Sequence, residues 1–291
     1  MDARPTRNRN WQIAGGVLPI GERTLVMGIL NVTPDSFSDG SLFLAPDSAL
    51  KHAEQMITEG ADIIDVGGES TRPGASAVST EEEISRVLPI IRILAKSSSV
   101  PISIDTTKAK VARAALEAGA AIVNDVSGLR FDDHIADEVA RMRAGLVLMH
   151  SRGSAEAMHR QAPVDDVFEN VVNGLRRSIA TATEKQVAPE CLAIDPGIGF
   201  GKTLKQNVAL VAKLDRLREA LPEFPILIGT SNKSFIGKLL AGASASERLH
   251  GTMASITAAI LHGADIVRVH DVAATVDTVR VTDAIRRQRF S

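Results

Sequence analysis

Asn31, Asp105, Asn124, Asp195, Lys233, Arg268 and His270 are scattered over a 291-residue chain, yet each closes or closely follows a short run of Ile, Val, Leu or Ala. Carboxylates and amides placed where apolar walls partly exclude water need donors to satisfy them. A flat heterocycle with an N–H-rich edge, such as a purine or a reduced pterin, would satisfy Asp105, Asn124 and Asp195. Lys233 would offset part of their negative charge and donate to a ring carbonyl. Asn31, Arg268 and His270 form a second group suited to phosphate oxygens, and Asn31 also suits a hard cation such as Mg²⁺.

Any one of these residues has a bland explanation, because Asp and Asn make good turns and caps. Eight apolar runs that all end in polar residues point instead to one convergent pocket. Met149-His150 ends the fifth run and Thr230-Ser231-Asn232-Lys233 follows the seventh. The stretch MGILNVTPDSFSDG, residues 27–40, then raises its own question, because an apolar run ends on Asn31 and releases a turn-rich segment holding an isolated Phe37.

The elements that must position these groups repeat without a break in composition. Strands are expected at 25–30, 62–66, 102–105, 121–124, 146–149, 192–195, 226–228 and 266–269, from short β-branched runs. Amphipathic helical stretches are expected at 46–59, 80–96, 108–118, 165–186, 207–219, 246–262 and 275–287. Ser79 ahead of Glu81-Glu82-Glu83 reads as a helix cap with acidic residues complementing the macrodipole. Gly60-Ala61, Gly119-Ala120 and Gly263-Ala264 read as left-handed helix ends.

Eight strand–helix units in fewer than 300 residues match a single α/β (β/α)8 TIM barrel, with an open doubly wound sheet as runner-up. In a barrel, the polar strand ends gather at the carboxyl face. Residues 11–21 resemble a short N-terminal hairpin that plugs the barrel floor. The expected organisation is a flexible N-terminal tail, 1–11, and one domain, 12–291.

A formal net charge of -2 gives no electrostatic footprint for nucleic acid or a membrane surface. The N-terminus lacks the apolar segment of a secretory signal, and no apolar run is long enough to span a bilayer. Cys191 is the single cysteine, which excludes a disulfide framework and fits a reducing, cytoplasmic setting. It precedes strand six, at the wrong end for chemistry, and reads as a small buried hydrophobe.

Two motifs fail on inspection. DPGIGFGKT, residues 195–203, lacks the first glycine of a phosphate-binding P-loop, and its glycines do not match the dinucleotide fingerprint. Lys202 therefore reads as a solvated loop lysine, and Phe200 as a lid over a flat ring. Glu69 reads as a loop anchor. His52, His134, His159, His250 and His262 read as packing or surface residues, while His150, at a strand end, stays open.

GILNVTPDSFSDG, DVGGESTRPGA, SIDTTK, IVNDVSG, DPGIGFGKT, GTSNKSFIG and DIVRVHDV, in this order over residues 12–287, resemble the dihydropteroate synthase family. The resemblance implies a pterin-binding TIM barrel, usually a homodimer, in folate biosynthesis. It implies condensation of 6-hydroxymethyl-7,8-dihydropterin pyrophosphate with p-aminobenzoate, with Mg²⁺. By position, Asp105, Asn124, Asp195 and Lys233 match residues that hold the pterin edge, Met149 and Phe200 its apolar walls, and Arg268 a guanidinium stacked on its ring. Asn31, Arg268 and His270 match the pyrophosphate and Mg²⁺ group. Phe37, Asp39, Thr71, Arg72, Pro73 and Ser231 match the two loops and helix end that complete the p-aminobenzoate pocket.

The resemblance implies catalysis carried by Asp105, Asp195, Lys233, Arg268 and His270. The chain departs from the family pattern at Asn232, where Arg is common, at Ser41, and at Ala155 and His159. Two other readings compete: a corrinoid-dependent methyltransferase barrel, which shares the pterin floor, and an inactive pterin-binding homologue.

Overall fold

The computed structural model describes residues 9–33, 45–70, 78–155, 157–159 and 161–287. β1 (Arg9–Ile13) and β2 (Gly16–Ile20) form an antiparallel hairpin. β3 (Leu25–Asn31), β4 (Ile63–Gly67), β5 (Ile102–Asp105), β6 (Ile122–Asp125), β7 (Gly145–Met149), β8 (Leu192–Asp195), β9 (Leu227–Ile228) and β10 (Ile266–Val269) follow. They pair in parallel in the order β8-β7-β6-β5-β4-β3-β10-β9. A bridge between Ile194 and Ile226, with Ile194 N donating to Pro225 O at 2.9 Å, joins β8 to β9. The eight-stranded sheet thus closes into the expected barrel rather than an open sheet.

Helices cover the outside. They are α1 (Ala45–Thr58), α2 (Thr80–Ser97), α3 (Ala109–Glu117), α4 (His134–Met142), α5 (Val167–Glu184), α6 (Leu204–Ala212), α7 (Asp215–Ala220), α8 (Ser234–Leu239), α9 (Leu249–Leu261) and α10 (Val272–Arg287). Gly60, Gly119 and Gly263 end their helices at φ of 101°, 113° and 105°, values natural to glycine alone. The single helix expected at 207–219 is instead α6 and α7. Thr203 and Gln206 form a capping box that starts α6 early, and a break at Lys213 keeps Leu214 and Leu217 buried. The sequence expectations omit α4, which buries only Ile135, Ala136 and Val139, and α8, which at 6 residues is under two turns long.

The barrel interior holds a core of its own. Trp11, Ile13 and Ile20 from the hairpin pack against Met27, Ile63, Ile122, Val147 and Ile266 from the strands. Trp11 is fully buried, and its indole Nε1 donates to Cys191 O at 2.8 Å. The hairpin therefore plugs the floor, as the sequence suggests. Its first strand already starts at Arg9, inside the stretch read as tail. Cys191 is buried, in keeping with a packing role.

Candidate active site

Parallel register lines the polar strand ends up at one level. Asp105 lies beside Gly67 on one side and Asn124 on the other, and Met149 lies beside Asp195. One layer deeper, Asp65 sits mid-strand in β4 and is completely buried.

Arg268 ties this floor together. Its Nε donates to Asp65 Oδ2 at 2.6 Å and its Nη2 to Asp105 Oδ2, also at 2.6 Å. Asn124 Nδ2 donates to the same Asp65 oxygen at 3.0 Å. Burial works against the guanidinium charge, but Asp65 and Asp105 outweigh it and raise its pKa further. Asp105 moves the other way: burial pushes its carboxyl up to about 7, despite Arg268.

Two carboxylate oxygens of this floor remain unsatisfied, as does Ser103 Oγ, on the register partner of Asp65. Asp65 Oδ1 and Asp105 Oδ1 are buried without a hydrogen-bond partner. Orphaned buried acceptors are costly, so these oxygens mark where the floor lacks donors.

Asp195 forms the second acidic point. Its Oδ1 accepts from Gly197 N at 2.6 Å, and burial raises its pKa. Lys233 Nζ lies 4.4 Å from the centre of the Phe200 ring. Burial, then repulsion from Arg268, lowers its pKa to about 8, while Asp195 and Asp105 pull the other way. The four ionisable groups thus share one field. Met149, Phe200, Val126 and Met158 make an apolar wall, and His159 stacks on Phe200 with centroids 4.9 Å apart.

At the rim, Ser231 Oγ lies 3.0 Å from His270 Nδ1 and also accepts the His270 backbone N–H. Asn31 closes β3 and Gly67 is its register partner, so its amide stands beside Asp105. Arg268 sits lower than a rim role alone requires, because two of its nitrogens are committed to the floor. Phe37, Asp39, Thr71, Arg72 and Pro73 lie outside the described residues.

Three expectations need correction or completion. Lys202 is not a solvated loop lysine: its Nζ donates to Gly197 O at 2.7 Å and Phe200 O at 3.2 Å and meets His150 Nδ1 at 3.2 Å. Burial lowers its pKa to about 7. It shapes the 195–201 loop rather than facing water. Glu83 is more than a macrodipole complement, since it is buried and pairs with Lys108 Nζ at 2.7 Å. Glu69 anchors its loop as expected, binding Lys108 Nζ at 2.8 Å and the Val78 N–H at 3.0 Å.

Asp65 is the residue that sequence reading passes over. It binds both Arg268 and Asn124. A carboxylate inside the run IIDV was the available signal, because a buried charge in a parallel strand needs a partner.

The Pterin binding enzyme family model matches residues 27–270. The chain is 47% identical over 267 residues to the dihydropteroate synthase of Synechocystis sp., covering 92% of each chain. It is 45% identical over 259 residues to that of Escherichia coli, covering 89% of this chain and 90% of the relative. Among solved structures, Xanthomonas albilineans dihydropteroate synthase with 4-aminobenzoic acid superposes with a TM-score of 0.89 at 43% identity, covering 97% of this chain and all of the other. The Burkholderia cenocepacia enzyme complexed with 7,8-dihydropteroate gives a TM-score of 0.86 at 42% identity, covering 97% and 99%. With its acidic floor, apolar wall and basic rim in one pocket, the chain belongs to the dihydropteroate synthase family of pterin-binding enzymes, transferases of folate synthesis.

Proposed function

We propose that this barrel condenses 6-hydroxymethyl-7,8-dihydropterin pyrophosphate with p-aminobenzoate by a dissociative, SN1-like step, releasing 7,8-dihydropteroate and pyrophosphate. The observation that carries the reading is Asp105, with its orphaned Oδ1, in one field with Arg268, Lys233 and Asp195 beside an apolar wall made for a flat ring. A pterin edge supplies the missing N–H groups. Lys233 donates to a ring carbonyl, and Met149 and Phe200 cover the ring faces.

As the CH2–O bond to pyrophosphate breaks, positive charge develops on the pterin and negative charge on the leaving group. Fixed carboxylates at Asp105 and Asp195 favour the first in a site with little water. His270, oriented by Ser231, and the Arg268 Nη1 amino group favour the second. The neutral arylamine then attacks, forming the CH2–N bond. An aniline is weakly basic, so no strong general base and no side-chain nucleophile is needed.

Mg²⁺ would be held here by Asn31 together with substrate oxygens. Among the described residues no group of three His, Cys, Asp or Glu could bind one unaided. Asn31 would contribute one hard oxygen, and the ion would neutralise charge on the departing pyrophosphate.

The same reading makes the protein a cytoplasmic homodimer. An apolar groove of about 340 Å³ between α6, α8 and α9, edged by the exposed Val208, Leu239 and Leu240, supports self-association. The deciding experiment is pyrophosphate release from the pterin substrate, with and without p-aminobenzoate. Release that depends on both the protein and the arylamine is expected, whereas a methyltransferase barrel or an inactive homologue releases none. Light scattering should give the mass of two chains.

A further inference from the structure

Behind the apolar wall, on the far side of Met149 and His150, lies a polar cavity of about 160 Å³ between the β6 and β7 loops and α5. Its lining includes Arg130, Arg177, Ser127 and His150, and no carboxylate is among the lining residues. Asp125 stands behind this lining and shapes it. Its two oxygens take the Ser127 N–H at 2.8 Å and the Leu129 N–H at 2.6 Å, which holds Leu129 at a φ of 65° and turns Arg130 towards the cavity.

The donors in this cavity outnumber its acceptors. Arg130 uses three of its five N–H bonds, on Ser127 O, Gly153 O and Ser151 Oγ. The Arg177 guanidinium makes no hydrogen bond or ion pair among the described residues. Ser127 Oγ accepts the Phe131 N–H at 3.4 Å and gives its own hydrogen to the Asp125 carboxylate, so it offers the cavity no further donor. With Lys202 as an ammonium, its Nζ donates to His150 Nδ1 and the ring proton sits on Nε2, the atom on the Gly174 side. His150 itself is surrounded by Lys202, Arg152, Arg130 and Arg177, and burial with this repulsion lowers its pKa to about 2. Its ring stays neutral and still donates from Nε2.

We propose that this cavity is a second anion site, separate from the pyrophosphate rim, taking a small tetrahedral oxyanion of the phosphate class. Arg130, Arg177 and His150 Nε2 supply the donors, and the anion offsets a local excess of positive charge. The oxyanion is either free phosphate or a terminal phosphoryl group on a larger metabolite.

The test is calorimetric titration of the full-length protein with inorganic phosphate and, in a parallel arm, glucose 6-phosphate. Working in a His270→Ala background weakens the rim as a competing site. Phosphate should still bind there, about tenfold more weakly after Arg177→Gln and undetectably after Arg177→Glu. Arg177 is exposed on α5, so both variants should fold, as circular dichroism will check, and Arg177→Gln alone should leave turnover unchanged. Phosphate binding alone assigns the site to the free ion; binding of the sugar phosphate as well assigns it to a phosphoryl group. Loss of all phosphate binding with His270→Ala, or binding indifferent to Arg177→Glu, would overturn the proposal.

Discussion

Arg268 on β10 and Asp105 on β5 meet at 2.6 Å across the mouth of the barrel, although β3 and β4 stand between them in the wall. The same guanidinium holds Asp65, which is completely buried. Removing it leaves a buried carboxylate uncompensated, a change that costs about 3–5 kcal/mol in comparable sites. Arg268→Ala should therefore lower stability by that order in urea unfolding as well as abolish turnover. A variant as stable as the parent would show that the pairing is incidental.

Asp105→Ala separates the chemical role from the structural one. Losing a preorganised charge aimed at the transition state costs roughly 3–4 kcal/mol, as for a major oxyanion-hole donor. Steady-state pyrophosphate release should fall by two to three orders of magnitude, by that same comparison. Near-normal activity would remove Asp105 from the mechanism.

The raised pKa of Asp105 makes stability depend on pH in a defined direction. Its folded value, about 7, lies above the ordinary carboxylate value of 3.8, so the folded state binds the proton more tightly. Between these values the folded protein carries more protons, and stability should fall as pH rises. Asp125, at about 6, acts in the same sense. Asp105→Asn removes one such group. The Tm difference between parent and Asp105→Asn should thus shift in favour of the variant from pH 4.5 to pH 7.5, and a constant difference would contradict the assignment.

Much of this architecture is legible in the chain because parallel strands buried on both faces read as continuous apolar runs. The polar residue that ends each run then marks the site end of the barrel. What stays illegible is pairing across the barrel. Nothing in the spacing of Asp65, Asp105 and Arg268 announces that they touch, and Lys202 looks solvated until Gly197 and Phe200 turn their carbonyls onto it. Glu83 likewise sits in an acidic run that suits a helix start, and only the approach of Lys108 shows that it is buried.

The floor plug is a stability device and should be separable from catalysis. Trp11→Ala removes a fully buried indole and the donor to Cys191 O. Large-to-small changes of this kind cost about 3–5 kcal/mol. Chemical unfolding should report that loss, while kcat of the folded fraction stays close to the parent, since Trp11 lies at the opposite end from Asp105.

The resemblance implies Arg at position 232, where this chain has Asn, and the local geometry sets what introducing that charge would do. Its φ of 57° is left-handed, a conformation that Asn tolerates better than most residues. Its backbone is pinned: the N–H donates to Thr252 Oγ1 at 3.2 Å, and the carbonyl accepts from Arg248 Nη1 at 2.8 Å. Asn232→Arg should keep this backbone at a cost of about 1 kcal/mol for the left-handed conformation. It would add a cation next to Ser231, on the side where the p-aminobenzoate carboxylate is expected. KM for p-aminobenzoate should fall several-fold with kcat unchanged, because the carboxylate is equally charged in ground and transition states. The gain should shrink as salt is raised, since the new charge is partly exposed. A change in kcat with no change in KM would place Asn232 near the reacting atoms instead.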